Sequence, residues 1–199
     1  MYNVSVDTYE IRLGKIANIQ VGYQSRGRIE EDLDGHYAII RSQDFDGAGN
    51  LILSEAMRFS PKIDPQKYLV NAGDILVQAR GQNHFACLLE NETNNTVASN
   101  SFYIVRIKEH NKVIPAYLAW WLNRTTVQAY FQQVRGVSTI PFISKADFQN
   151  TRIRIPPMET QKNINQLMQL WQREQKLNQQ LMKIKEMMVQ EVCRKASIT

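Results

Sequence analysis

A chain of 199 residues with 43% hydrophobic and 22% charged residues is long enough to bury a real core, as one domain or as one domain with an appendage. It contains no apolar run of membrane-spanning length, its opening Met1-Tyr2-Asn3-Val4-Ser5-Val6-Asp7 lacks the basic and apolar parts of a signal peptide, and its two cysteines, Cys87 and Cys193, have no Cys or His at metal-ligand spacing. These features predict a cytoplasmic protein with reduced thiols and no metal, and the net charge of +5 is concentrated in residues 111–199, which carry 13 Lys and Arg against 5 Asp and Glu.

The first segment, Tyr9 to Gly22, alternates short apolar runs broken by Gly14 and Gly22, a pattern of strand, helical turn and second strand. The loop Tyr23-Gln24-Ser25-Arg26-Gly27-Arg28 is polar and basic, so Arg26 and Arg28 are either candidate ligand contacts or simply solvated. A strand is expected at His36–Arg41, followed by Gln43, a turn at Asp46–Asn50 and another strand at Leu51–Leu53.

The turn Asn71-Ala72-Gly73-Asp74 feeds a strand, with Ile75 and Val77 on one face and Leu76 and Gln78 on the other. Beyond it Arg80, Gln82 and Asn83 gather around Gly81. Such side chains suit base edges, because Arg can take guanine O6 and N7 together while Gln or Asn can take adenine N6 and N7. A polar strand end accounts for them equally well. Strands are expected again at Phe85–Leu89 and Ser101–Ile107, making this half β-rich.

Pro115 suits a first helical position, and helices are expected over Ala116–Asn123 and Thr126–Gln133, with one of Trp120 and Trp121 anchoring the core. Arg135 to Pro141, containing Ser138 and Thr139, reads as a loop. Ser144 caps a short helix that contains Lys145, and Thr151–Ile155 alternates as a strand. Arg124, Arg135, Lys145, Arg152 and Arg154 form a dense basic interval that could hold phosphates if it converges in space.

The last forty residues contain no Gly or Pro after Pro157. Apolar residues recur at Leu167, Leu170, Leu177, Leu181, Ile184 and Met188, a heptad seam in which Glu174 is the one polar member. A helix from Glu159 to Val192 would be roughly 50 Å long and would bury its seam only against a partner.

Taken together, Leu13-Gly14-Lys15-Ile16-Ala17 with Gly22, Gly73-Asp74-Ile75-Leu76 with Arg80-Gly81, Pro115-Ala116-Tyr117-Leu118 with Leu122-Asn123, the Gly136-to-Ser144 loop, and Ile155-Pro156-Pro157-Met158-Glu159-Thr160-Gln161 resemble the DNA specificity subunit of type I restriction-modification systems. Members of that family carry two target recognition domains and two spacer helices, packed antiparallel. This sequence has one of each and no internal repeat.

The resemblance implies an α+β architecture: a β-rich mixed target recognition domain over residues 1–155, then a spacer and dimerisation helix over 156–199 that forms an antiparallel coiled coil with a second copy. It also implies a non-catalytic reader of double-stranded DNA that docks methyltransferase and possibly restriction subunits. S-adenosylmethionine would be bound only by the methyltransferase partner. The expected DNA contacts are Arg26, Arg28, Arg41, Gln43, Gln78, Arg80, Gln82, Asn83, Arg135, Ser138, Thr139 and Lys145.

Two rival classes are a coiled-coil scaffold without DNA contact and an enzyme. An amino-methyltransferase needs a motif like Asn-Pro-Pro-Tyr to hold a flipped base, and the double proline here lies between Ile155 and Met158. A metal-dependent nuclease would want closely spaced carboxylates, which Asp64, Asp74 and Glu90 do not offer.

Overall fold

Leu13 and Ile16, both fully buried, draw a single helical turn between two short strands, giving β1 (Tyr9–Arg12), α1 (Leu13–Ile16) and β2 (Ala17–Val21). The computed structural model describes residues 8–25, 27–46, 49–136 and 139–197, so Arg26, Ser138 and the turn residues Gly47 and Ala48 lie outside it. The chain continues through β3 (Tyr37–Ile40), β4 (Met57–Phe59), β5 (Ile75–Gln78), β6 (Ala86–Leu88), β7 (Thr96–Ala98) and β8 (Phe102–Ile107). Helices α2 (Pro115–Leu122), α3 (Thr125–Val134) and α4 (Lys145–Gln149) follow, then β9 (Arg152–Ile155) and α5 (Met158–Ala196).

Among the described residues the strands form a four-stranded antiparallel sheet in the order β2-β8-β5-β6, a three-stranded sheet β4-β3-β7 and a ribbon β1-β9. Within the three-stranded sheet β3 runs parallel to β7 and antiparallel to β4. Alternation along β8 explains how the layers stack. Phe102 and Ile104 join Leu76, Ile40, Val70, Leu89 and Ala98 in one buried cluster, while Tyr103 turns to the opposite face and stacks on Phe148 of α4, with ring centres 4.9 Å apart. Phe148 in turn meets Phe131 of α3. Helices therefore cover one face of the larger sheet and the smaller sheet's side covers the other, which is why every residue of β5 is buried.

Two turns have defined structural work. A Cβ on Gly22 would lie 2.2 Å from the Ser99 carbonyl oxygen, so only glycine allows the chain after β2 to pass the β7–β8 connection. The Asn71–Asp74 turn delivers the buried Asp74 carboxylate to Arg106, whose Nε and Nη2 donate to it at 2.9 and 3.0 Å.

The structure corrects several expectations. Leu51–Leu53 is not a strand: Leu51 makes one isolated bridge to Phe45, and Leu53 opens a 3-10 turn, because Asp46 holds Asn50 through both backbone and side chain and closes the segment locally. The strands β4 and β7 were not anticipated; each has three residues, too few to show a period. Neither Trp120 nor Trp121 is a core anchor. Both are half-buried beneath the Arg124 guanidinium, and Tyr117 occupies the core position instead.

The structure divides into two compact units, one running through Gln161 and one from Lys162 onward. Helix α5 has 39 residues, about 58 Å at 1.5 Å per residue, and Gln161 is its only buried residue among those described. No described helix is long and apolar enough to cross a membrane.

Candidate functional site

Strand β6 lies at the edge of its sheet, and an extended segment there needs partners for its free backbone groups. Side-chain amides from the helices supply them. Asn123 accepts from the Ala86 N–H at 2.8 Å and donates to the Ala86 carbonyl at 2.7 Å; Gln128 donates to the His84 carbonyl at 2.9 Å and Gln132 to the Gln82 carbonyl at 3.2 Å. The carbonyls of alternate residues 82, 84 and 86 are thus held in a row. Gln128 and Gln132, four residues apart on α3, reach carbonyls two residues apart, and Asn123 at the end of α2 reaches the third.

A second segment closes over this one. Gly81 N–H donates to the Pro141 carbonyl at 2.9 Å, Ile143 N–H to the Ala79 carbonyl at 3.0 Å, and Gly136 N–H to the Phe142 carbonyl at 2.9 Å. Tyr103 donates from beneath to the Ile143 carbonyl at 2.8 Å. Gly81 has φ +118°, and a Cβ there would lie 2.7 Å from Gln78 Nε2, which itself donates to the Arg80 carbonyl. The Arg80–Asn83 loop is therefore fixed by its neighbours on both sides.

On this platform stand Arg80, Gln82 and Arg135. Arg80 lies over the Phe142 ring with its guanidinium carbon 5.8 Å from the centre, and Arg135 donates to Gln82 Oε1 at 3.3 Å. Below them His84 is fully buried, edge-on to Phe131, with Nδ1 3.0 Å from the Gln78 carbonyl. Burial lowers its pKa, the bond to the Gln78 carbonyl opposes this and the nearby Arg135 adds to it, so the neutral ring donates through Nδ1 and Nε2 has no partner among the described residues. The Tyr103 hydroxyl is pushed up by burial, an effect that Arg80 partly offsets and Asp147 reinforces.

The expected DNA-contact residues fall into three groups. Arg80, Gln82 and Arg135 come together; Asn83 is exposed on the same loop, Thr139 is exposed on the closing segment and Lys145 is exposed at the start of α4, next to the Ser144 cap. Gln78 is buried and its amide supports the loop from behind. The third group belongs to the smaller sheet: Arg28 and Arg41 line a surface depression with Ile29, Glu30, Glu31 and Met57, and Arg41 is ion-paired with Asp44 at 3.2 Å. Gln43 is exposed on the 3-10 turn Ser42–Asp44, and Phe45 just after it packs on Phe85 at 4.8 Å.

The basic interval separates. Arg124 stacks on Trp121, whose Nε1 donates to the Arg152 carbonyl, and Arg152 pairs with Glu10 across the β1-β9 ribbon. Arg135 instead belongs to the loop platform. On α5 the seam residues Leu167, Leu170, Leu177, Leu181, Ile184 and Met188 are 48–66% exposed. Among the described residues no group of His, Cys, Asp and Glu could hold a metal ion.

Sequence reasoning assigned no role to Asn123, Gln128, Gln132 or Gln161. Gln161 is fully buried, accepting from Ile114 N–H at 3.0 Å and donating to the carbonyls of Lys112 and Pro156 at 2.8 and 2.9 Å. Gln128 and Gln132 carried one legible signal, a polar pair four apart beside the apolar Val127 and Phe131.

Comparison with known proteins places this fold. The model of the type I restriction modification DNA specificity domain matches residues 6–185. The specificity subunit of the type I restriction enzyme MjaVIII from Methanocaldococcus jannaschii is 24% identical over 166 residues, covering 83% of this chain and 36% of the relative. Among solved structures, the S subunit of a type I restriction-modification system from M. genitalium superposes with a TM-score of 0.60 at 12% identity, covering 87% of this chain and 41% of that one. The HsdS subunit from Thermoanaerobacter tengcongensis gives 0.55 at 17% identity, covering 86% and 40%. The chain thus spans about two-fifths of the length of the relatives it matches, and with nearly its whole length matched by one family model it belongs to the type I restriction modification DNA specificity domain family.

Proposed function

We propose that this chain is a non-catalytic reader of double-stranded DNA, recognising one half-site through the Arg80–Asn83 loop and the facing Arg135–Lys145 segment. The observation that carries the proposal is the convergence of Arg80, Gln82 and Arg135 on a loop immobilised by helix amides, since base readout requires donors held in register. Arg80 is the candidate for a guanine, Gln82 and Asn83 for adenines, and Lys145 and Thr139 for phosphates. Arg41 and Gln78 act as supports, and Arg28 and Gln43 lie on the smaller sheet's side of the surface.

In the same proposal two copies pair antiparallel through the Leu167–Met188 seam, giving a two-fold spacer between identical readers and hence palindromic half-sites. Trp171, Met182 and Val189 are 52–62% exposed on a neighbouring stripe, apolar surface suited to methyltransferase and restriction subunits. S-adenosylmethionine belongs to the methyltransferase partner.

The test is binding of the purified chain to DNA as salt is varied. A reader loses affinity steeply with salt for all sequences, and Arg80→Ala relaxes preference at one base pair at a cost of about 1–3 kcal/mol against the preferred site alone. Salt-independent binding, or none, would favour the scaffold reading. Methyl transfer or cleavage by this chain alone, with magnesium and S-adenosylmethionine, would return it to the enzymes.

A further inference from the structure

Two large apolar side chains stand in the middle of the loop platform, and the hydrogen-bonding chemistry proposed above gives neither a role. Ile140 is 63% and Phe142 40% exposed. They bracket Pro141, whose carbonyl is held by Gly81 N–H, while the Phe142 carbonyl is held by Gly136 N–H and the Ile143 N–H is held by Ala79. The backbone that carries them is therefore fixed, and the side chains cannot retreat into the core by a loop movement that keeps those bonds. Large apolar groups held in water on a fixed backbone forgo the stabilisation that burial would give.

A cation touches the pair and two more stand at the ends of its segment. The Arg80 guanidinium lies against the Phe142 ring, Arg135 opens the closing segment and Lys145 follows it. An exposed apolar pair with a guanidinium on one ring fits a polyanion that carries an apolar group on its readable face. Duplex DNA has one such group in its major groove, the C5-methyl of thymine.

Resting on the DNA-reading function proposed above, we infer that Phe142 and Ile140 form a pocket wall for a thymine C5-methyl beside the base pair taken by Arg80. The 5.8 Å between the Arg80 guanidinium carbon and the Phe142 ring centre spans between one and two base-pair steps at roughly 3.4 Å each, so the thymine lies within two steps of the guanine. Specificity would then have two chemically distinct parts, a hydrogen-bonded purine and a methyl group.

The experiment begins with selection of preferred duplexes from a random pool by the full chain. Each thymine of the preferred half-site is then replaced by uracil, which removes the methyl and nothing else. One thymine within two steps of a guanine should lose about fourfold in affinity, the amount expected for one buried methyl. That loss should vanish in Phe142→Ala and Ile140→Ala and persist in Arg80→Ala. Because the uracil scan uses the unmodified protein, misfolding of a variant cannot produce the result. A half-site without thymine, a scan with no sensitive position, or a loss that survives both apolar truncations overturns the inference. DNA kinking lost in Phe142→Ala with no uracil effect overturns it also, assigning the pair as a wedge between base steps. A chain that selects no sequence at all overturns the DNA-reading function itself, which separates that failure from the others.

Discussion

Replacing Gln161 by leucine keeps the volume of the side chain and removes its amide. The first turn of α5 then loses three hydrogen bonds at once, leaving the Ile114 N–H and the carbonyls of Lys112 and Pro156 without the partner that Gln161 gives them. Gln161 is 0% exposed, so water cannot replace the amide without opening the packing. The three partners lie on half-buried or exposed residues, so at about 0.5–1.5 kcal/mol per hydrogen bond lost the cost should be about 2–4 kcal/mol. For a unit of this size that corresponds to a fall in Tm on the order of 5–15 °C. Urea unfolding followed by circular dichroism, with the midpoint and slope compared between the two proteins, measures it. Gln161→Glu tests the same contacts by charge. A carboxylate there faces two carbonyl oxygens, so its pKa in the folded protein rises above the unfolded value of about 4.3, and the stability of this variant should fall as pH rises through the folded value. A Gln161→Leu protein within about 0.5 kcal/mol of the original would refute the reasoning, since three lost hydrogen bonds cannot cost so little.

Leu177→Glu with Leu181→Glu should give monomers in analytical ultracentrifugation, since two like charges per chain would meet in the proposed seam; a double variant that stays dimeric places the contact elsewhere. Burial keeps His84 neutral, so as pH falls through about 6.5 the unfolded chain takes up a proton that the folded chain refuses, and stability should decline in that window. His84→Phe should flatten that part of the profile measured by urea titration. Cys193 is exposed whereas the Cys87 thiol is pushed up to about 11 by burial, so at pH 8 a disulfide reagent should react with Cys193 first, and Cys193→Ser should remove the fast phase.

What could be read from the sequence is what local pattern records. The heptad spacing from Leu167 to Met188 became α5, Pro115 opened α2, Ser144 accepted from the Asp147 N–H as a cap, and alternation placed Phe102 and Ile104 on one face of β8 and Tyr103 on the other. Each of these depends on residues a few positions apart. The grouping of Arg80 and Gln82 was also legible, because the loop after β5 is contiguous.

The tertiary structure alone decided that Arg135, more than fifty residues along the chain, bonds to Gln82, and that Arg124 and Arg152 go elsewhere. It also turned three amides, Asn123, Gln128 and Gln132, into a clamp on the backbone of residues 82–86. No local pattern can announce such pairings. A side-chain amide bonding a distant carbonyl has the same composition and spacing as one bonding water, and only the packing of α2 and α3 beside the edge of the sheet distinguishes them.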